Sequence, residues 1–143
     1  MPSLTGAEAR DRFAAARVAR LATADAEGLP HLVPVVFAVT GESLVMAVDH
    51  KPKTSTRLKR LANIRANPAV CLLADDYDED WSRLWWSRAD GRARVLPPAA
   101  ESADAARYAA LLTARYPRQY AGRPPSGPVV EVTVTAWSGW RAT

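Results

Sequence analysis

The sequence contains little of what disulfide, zinc or histidine chemistry requires. Its 143 residues include one cysteine, Cys71, and two histidines, His31 and His50. Neither a disulfide framework nor a cysteine-rich zinc centre can therefore form within the chain. Cys71 lies in the apolar run Ala69–Ala74, where we expect a buried structural thiol. We interpret His31 as a strand residue whose ring is satisfied by backbone groups, in preference to a proton donor.

Long hydrophobic runs and nucleotide-binding glycine patterns are also missing. No apolar run approaches the length of a membrane span, and the N-terminus lacks the apolar core of a signal peptide. We therefore expect a cytoplasmic protein. No G-x-G-x-x-G or P-loop pattern occurs, which argues against a nicotinamide nucleotide or ATP as the primary ligand. No recognised nucleic-acid motif occurs, and the length favours one domain over residues 1–143.

Acidic residues are absent from one segment, His50–Ala74, and this segment carries the excess charge of the protein. The chain has 19 basic and 15 acidic residues, a net charge of +4. Six of the basic residues lie here, so the remainder nets −2: Lys51, Lys53, Arg57, Lys59, Arg60 and Arg65. Positive charge beside a helix N-terminus favours phosphate or carboxylate groups. We predict an anion site here; a solvated basic helix face is the alternative.

The hydrophobic periodicity predicts a mainly β (α+β) protein with antiparallel strands. Six strands are expected at residues 18–23, 31–39, 44–48, 69–74, 81–95 and 129–136, the fifth broken by a turn or bulge around residues 89–91. Helices are expected at residues 5–17, 54–66 and 100–116, the first opened by a capping box at Thr5 and Glu8. Because tight turns join the strands, the pattern favours a small barrel with attached helices over a doubly wound sheet.

Two further clusters have ordinary interpretations. The acidic run Asp75–Asp80 lacks the glycine and the spacing of a calcium loop, so we interpret it as a charged surface loop and expect no metal. Trp85 and Trp86 are adjacent on a predicted strand and must point to opposite faces. At most one of them can face a binding site.

Three stretches of the chain resemble one known family. They are Leu21-Ala22-Thr23 through Gly28 to Pro34-Val35, then Lys59-Arg60 with Asn63-Ile64 and Asn67-Pro68, and finally DEDWSRLWW at residues 78–86 leading into Gly91. Together the sequence resembles the flavin-binding split β-barrels of the pyridoxamine-phosphate-oxidase-like superfamily. Within it, the chain is most similar to actinobacterial deazaflavin-dependent oxidoreductases that use coenzyme F420.

The resemblance implies a fold, an activity and a set of contacts. It implies a six-stranded split β-barrel that forms a homodimer with the cofactor between two chains. It implies an oxidoreductase that transfers a hydride between F420 and a small-molecule acceptor without a catalytic side chain. An FMN-dependent enzyme of the same fold is the first alternative. A protein that holds a flavin, a deazaflavin or a haem-like tetrapyrrole without turnover is the second.

The resemblance also assigns roles to residues. The basic pair just upstream of Asn67-Pro68 would hold the cofactor phosphate, and it falls on Lys59 and Arg60. A further basic residue precedes the pair, so a shift onto Arg57 stays open, and Lys53 before the helix is another candidate. The ring would lie along the strand that contains His31, Val33, Pro34 and Val35, partly through backbone groups. Three tryptophans would cover a ring bound mainly to the partner chain: Trp85, Trp86 and Trp140.

Overall fold

The protein folds around one antiparallel sheet of seven strands. The structure, a computed structural model, describes residues 3–48 and 55–143, without the side chains of residues 55–58. The elements in chain order are α1 Gly6–Ala15, β1 Ala19–Ala24, β2 Pro30–Val35, β3 Ala38–Thr40, β4 Ser43–Ala47, α2 Ser55–Ala66, β5 Ala69–Asp76, a 3₁₀ turn Trp81–Arg83, β6 Trp85–Leu96, a 3₁₀ turn Ala99–Glu101, α3 Ala103–Arg115, α4 Pro117–Tyr120 and β7 Val129–Arg141. The strand order is β2-β1-β5-β6-β7-β4-β3, and the sheet is not closed.

The expected mainly β split barrel with flanking helices is confirmed, but the count of six strands is wrong. The strand expected over residues 31–39 is two strands, because β2 ends at Val35 and β3 begins at Ala38. Between them, Phe37 is fully buried and both of its backbone groups bond to one side chain. Its N–H donates to the Tyr116 hydroxyl at 3.2 Å, and its carbonyl accepts from that hydroxyl at 2.9 Å. These bonds replace the ladder bonds of a continuous strand, so a seventh strand results.

The aromatic region also differs from the expectation. Residues Trp81–Arg83 form a 3₁₀ turn because the Asp80 carboxylate accepts from the backbone N–H of Ser82 at 3.1 Å. The predicted break near residue 90 is a register shift between Asp90 and Gly91 within an otherwise continuous β6. At the C-terminal end, β7 continues to Arg141.

Smaller corrections concern the ends of elements and the cysteine. The predicted acidic loop begins later than expected, since β5 continues to Asp76. The capping box of α1 is confirmed, with Thr5 and Glu8 each accepting from the backbone N–H of the other, but the helix ends at Ala15. Cys71 is half-buried on β5, so the expectation of a buried thiol is wrong.

The core has two parts, one on each side of the sheet. The larger part includes Phe13 of α1, Leu21 of β1 and Leu61 of α2. The smaller part lies under α3 and includes Tyr108 and Leu112.

A buried carboxylate links α3 to the sheet. Glu131 of β7 is only 8% exposed. Its Oε2 atom accepts a hydrogen bond from the Tyr108 hydroxyl at 2.5 Å, and its Oε1 atom accepts one from Arg94 Nε at 2.7 Å. Burial acts to raise the pKa of Glu131, but the hydrogen bonds from Arg94 and Tyr108 outweigh it and hold the pKa below its ordinary value. The folded state therefore favours the ionised carboxylate and gains stability from it.

We predict that this gain is lost in acid. A carboxyl group whose pKa is lowered on folding stabilises the protein above its unfolded pKa, and that contribution disappears as the pH falls through the folded pKa. Glu131→Gln should therefore reduce the free energy of unfolding by about 1–3 kcal/mol at pH 7, with the difference shrinking below about pH 4. Urea unfolding of the parent and of Glu131→Gln, at pH 7 and again below about pH 4, measures this difference in the free energy of unfolding. Tyr108→Phe keeps the carboxylate and its bond from Arg94, so as a control it should retain part of the acid dependence. A difference between parent and Glu131→Gln that is equal at both pH values would contradict the assignment.

Candidate functional site

A cavity of about 170 Å³ opens where the two edges of the sheet approach each other. Its lining residues come from the end of β2 and the segment after it, from the residue before β1, from the end of β4 and from α2: Val18, Pro34, Val35, Val36, Ala47 and Arg60. In the strand order, β2 is one edge and β4 is next to the other. Residues of both strands can line one cavity only if the sheet curls, so the cavity lies at the split of the barrel.

Arg60 is the one charged side chain among the described residues that line this cavity, and α2 places it there. Leu61 and Ile64 are buried in the core and fix the face that the helix turns to the sheet. The Asn63 carboxamide donates to the Thr23 hydroxyl of β1 at 3.1 Å, in a buried position. Arg60, one residue before Leu61, is half-buried at the cavity wall. Because α2 itself carries no acidic residue, the wall beside Arg60 is positive.

The other basic candidates have different positions. Lys59 is exposed and is not among the residues that line the cavity. Arg57 lies on α2, but its side chain is outside the described residues, and Lys53 is outside them entirely. Of the predicted basic pair, the structure brings only Arg60 together with β2.

The four residues predicted on β2 divide between its two faces. Pro34 is exposed, whereas Val33 and Val35 pack against the core. Pro34 and Val35 line the cavity; His31 and Val33 do not. The Nδ1 atom of His31 is buried and has no hydrogen-bond partner among the described residues, so the expectation of a backbone-satisfied ring is wrong for this nitrogen.

None of the three predicted tryptophans lines the cavity of their own chain. Trp85 and Trp86 lie on β6, three strands from β2, and Trp140 lies far along β7 from the residues 129–133 that pair with β4. Trp85 packs against the core, with the Arg12 guanidinium 5.5 Å from its ring centroid. Trp86 pairs in register with Trp140 of β7, and the Arg88 guanidinium lies 5.7 Å from its ring. The two adjacent tryptophans thus occupy opposite faces, as their spacing predicts.

Sequence reasoning missed three lining residues: Val18, Val36 and Ala47. They are small or β-branched apolar residues without distinctive chemistry, and β3 separates Ala47 of β4 from β2 in the chain. Only the curl of the sheet brings them together, so no local pattern marks them.

Two observations concern other classes of site. Among the described residues, no three His, Cys, Asp or Glu side chains are grouped as metal ligands would be. None of the described helices combines the length and apolarity needed to cross a membrane.

Comparison with known proteins identifies the family. The family model for pyridoxamine 5′-phosphate oxidase matches residues 5–141. The chain belongs to this family. Comparison with curated protein sequences gave no match.

Several solved structures share the fold of this chain. An FAD-binding protein from Mesorhizobium loti superposes with a TM-score of 0.73 at 22% identity, covering 99% of this chain and 97% of the other. An FAD-binding protein from Mycobacterium smegmatis gives 0.64 at 20% identity, covering 99% of both chains. HutZ, a haem storage protein from Vibrio cholerae, gives 0.69 at 16% identity, covering 92% and 91%. At these identities the likeness concerns the fold alone.

Proposed function

We propose that the chain binds coenzyme F420 at the cavity, as one half of a homodimer, and transfers a hydride between this cofactor and a small-molecule acceptor. One observation carries the proposal: Arg60 and the edge of β2 at Pro34 and Val35 line the same cavity. A guanidinium suits a phosphoryl group, while an apolar wall beside an edge strand suits a flat ring.

The distribution of charge supports F420 in particular. This cofactor carries a phosphodiester and a tail of glutamates, and each of these anions favours a basic surface. On α2, Arg60 lines the cavity, Lys59 and Arg65 are exposed, and the helix has no acidic residue. The phosphodiester would bind Arg60, and the glutamate tail would extend over the exposed cations.

The residues of the cavity suit positioning better than proton transfer. When bound, the deazaflavin supplies a carbon that donates or accepts a hydride. Among the described residues, the lining side chains include no carboxylate, histidine or thiol, so these residues contribute orientation and exclusion of water. Val18, Val35 and Val36 provide the apolar surface for this.

The size of the cavity supports a second copy of the chain as part of the site. Ligand pockets usually enclose about 300–1,000 Å³, more than the 170 Å³ found within one chain. The outer face of the sheet exposes apolar side chains, with Leu32 at 66% and Leu73 at 37%. A partner docked on this face would cover these residues and would bring Trp86 or Trp140 over the ring.

A flavin nucleotide is the second candidate, and the FAD-binding proteins that share the fold favour it. A protein that holds a flavin, a deazaflavin or a tetrapyrrole without turnover is the third, and the haem storage protein favours it. All three candidates would use the same cavity, so its position does not distinguish them. Titration of the protein with each cofactor, followed by a test for turnover, does.

We predict that F420 binds the purified protein with micromolar affinity and that FMN and FAD compete poorly, because the glutamate tail adds contacts to the basic helix. Fluorescence titration with each cofactor, followed by oxidation of reduced F420 across an acceptor panel, measures both parts. Equal or tighter binding of FMN or FAD would establish the second candidate instead. F420 binding without acceptor-dependent oxidation would establish the third.

We further predict that the two neighbouring cations of α2 differ in effect. Arg60→Gln should weaken F420 binding at least tenfold, about 1.4 kcal/mol, since a charge-assisted bond to the phosphoryl group is lost. Lys59→Gln is the matched comparison and should weaken binding by less than about threefold, because its contact with the glutamate tail is exposed and screened by solvent. Thermal unfolding verifies that both variants fold. Equal affinity losses in the two variants would refute the assignment to the cavity wall.

A further inference from the structure

A second groove, of about 460 Å³, lies between the C-terminal ends of α1 and α3 and the edge strand β3. It shares no lining residue with the cavity that contains Arg60, since Val36 lines that cavity whereas Ala38 and Val39 line this groove. Its floor is aliphatic and includes Val39, Leu111 and Ala114, while Arg17 and Arg115 form its walls. An apolar floor of this size with two cations at its side is unlike an ordinary solvated surface.

The two arginines are held in place by one aromatic ring. The Cζ atom of Arg17 is 4.6 Å from the centroid of the Tyr116 ring, and the Cζ atom of Arg115 is 5.4 Å from the same centroid. Arg17 Nη2 donates to the Arg115 carbonyl at 2.9 Å, and Arg115 Nη2 donates to the Ala16 carbonyl. Stacking and hydrogen bonding together fix both guanidiniums, so little side-chain entropy remains to be lost on binding a ligand.

These structural bonds leave most of the donors available. A guanidinium has five N–H donors. Arg17 uses one of them in the bonds described, and Arg115 uses two, the second to the Tyr116 hydroxyl at 3.2 Å. In the described part of the chain, neither arginine forms an ion pair, and the lining of the groove contains no carboxylate. The charge of two guanidiniums exceeds the opposing partial negative charge of the two helix C-termini, so the groove favours an anion.

A purely structural role explains only part of this arrangement. Helix C-termini carry partial negative charge, and arginines often bind their last carbonyls. That role requires one donor from each side chain and no apolar groove. The joint presence of spare donors and an aliphatic floor points to a ligand that has both an anionic head and an apolar body.

We propose that this groove binds an aliphatic carboxylate, with its head between Arg17 and Arg115 and its chain along Leu111 and Val39. The site is distinct from the cofactor cavity, and the proposal does not depend on which cofactor that cavity holds. A bidentate contact from a guanidinium supplies the specificity for the carboxylate, and burial of the chain supplies the remaining affinity.

Octanoate is the probe, and amide chemical shifts of the purified full chain are the readout. We expect saturable binding, with the largest shifts at Val39, Leu111 and Ala114. Arg17→Gln should weaken octanoate at least tenfold by removing charge. Ala114→Phe should do the same by filling the groove at an exposed position, without removing an arginine. Arg118→Gln, an exposed arginine of α4 outside the groove, is the matched control and should leave the affinity unchanged.

Three outcomes would overturn the proposal. The first is that octanoate shows no saturable shifts at these amides. The second is that 1-octanol, which has the same chain and no charge, binds as tightly as octanoate. The third is that neither Arg17→Gln nor Ala114→Phe weakens binding while both variants keep the melting temperature of the parent.

Discussion

The hydroxyl of Tyr116 holds the backbone of Phe37, and the rest of the architecture depends on this contact. It binds both the N–H and the carbonyl of a residue that is 79 positions away, at 3.2 and 2.9 Å. With these groups satisfied by a side chain, the strand that begins at β2 cannot continue into β3. The chain instead crosses from one edge of the sheet to the other, and the barrel stays split. Val36, at this crossing, lines the cavity that contains Arg60, and Ala38, two residues later, lines the arginine-lined groove.

The split determines what kind of site the fold can offer. An edge strand leaves backbone donors and acceptors unpaired within its own sheet. Here that edge is next to the apolar ends of β1 and β4, and α2 places one guanidinium beside it through the buried Asn63–Thr23 hydrogen bond. The result is a small cavity that carries one guanidinium and, within the described part of the chain, no proton-transfer group in its lining. Such a cavity suits chemistry that the cofactor performs and the protein orients.

Local sequence signals predicted the elements well, because the forces that form them are local. The capping box at Thr5 and Glu8 and the stop at Asn67-Pro68 depend on neighbouring residues. The basic segment without acidic residues pointed to α2, which contributes Arg60 to the lining of the cavity. It could not distinguish Lys59 from Arg60, since that difference depends on which face of α2 is buried. The end of β2 and the lining by Ala47 depend on contacts far apart in the chain, and no periodicity records them.

The central claim is that the anionic end of the cofactor binds Arg60 at the split of the barrel. A crystal structure of the protein grown with F420 tests this claim most directly. The account predicts a phosphoryl oxygen about 2.7–3.0 Å from the Arg60 guanidinium, with the ring along Pro34 and Val35. A phosphoryl group bound away from α2, with the ring distant from β2, would contradict it.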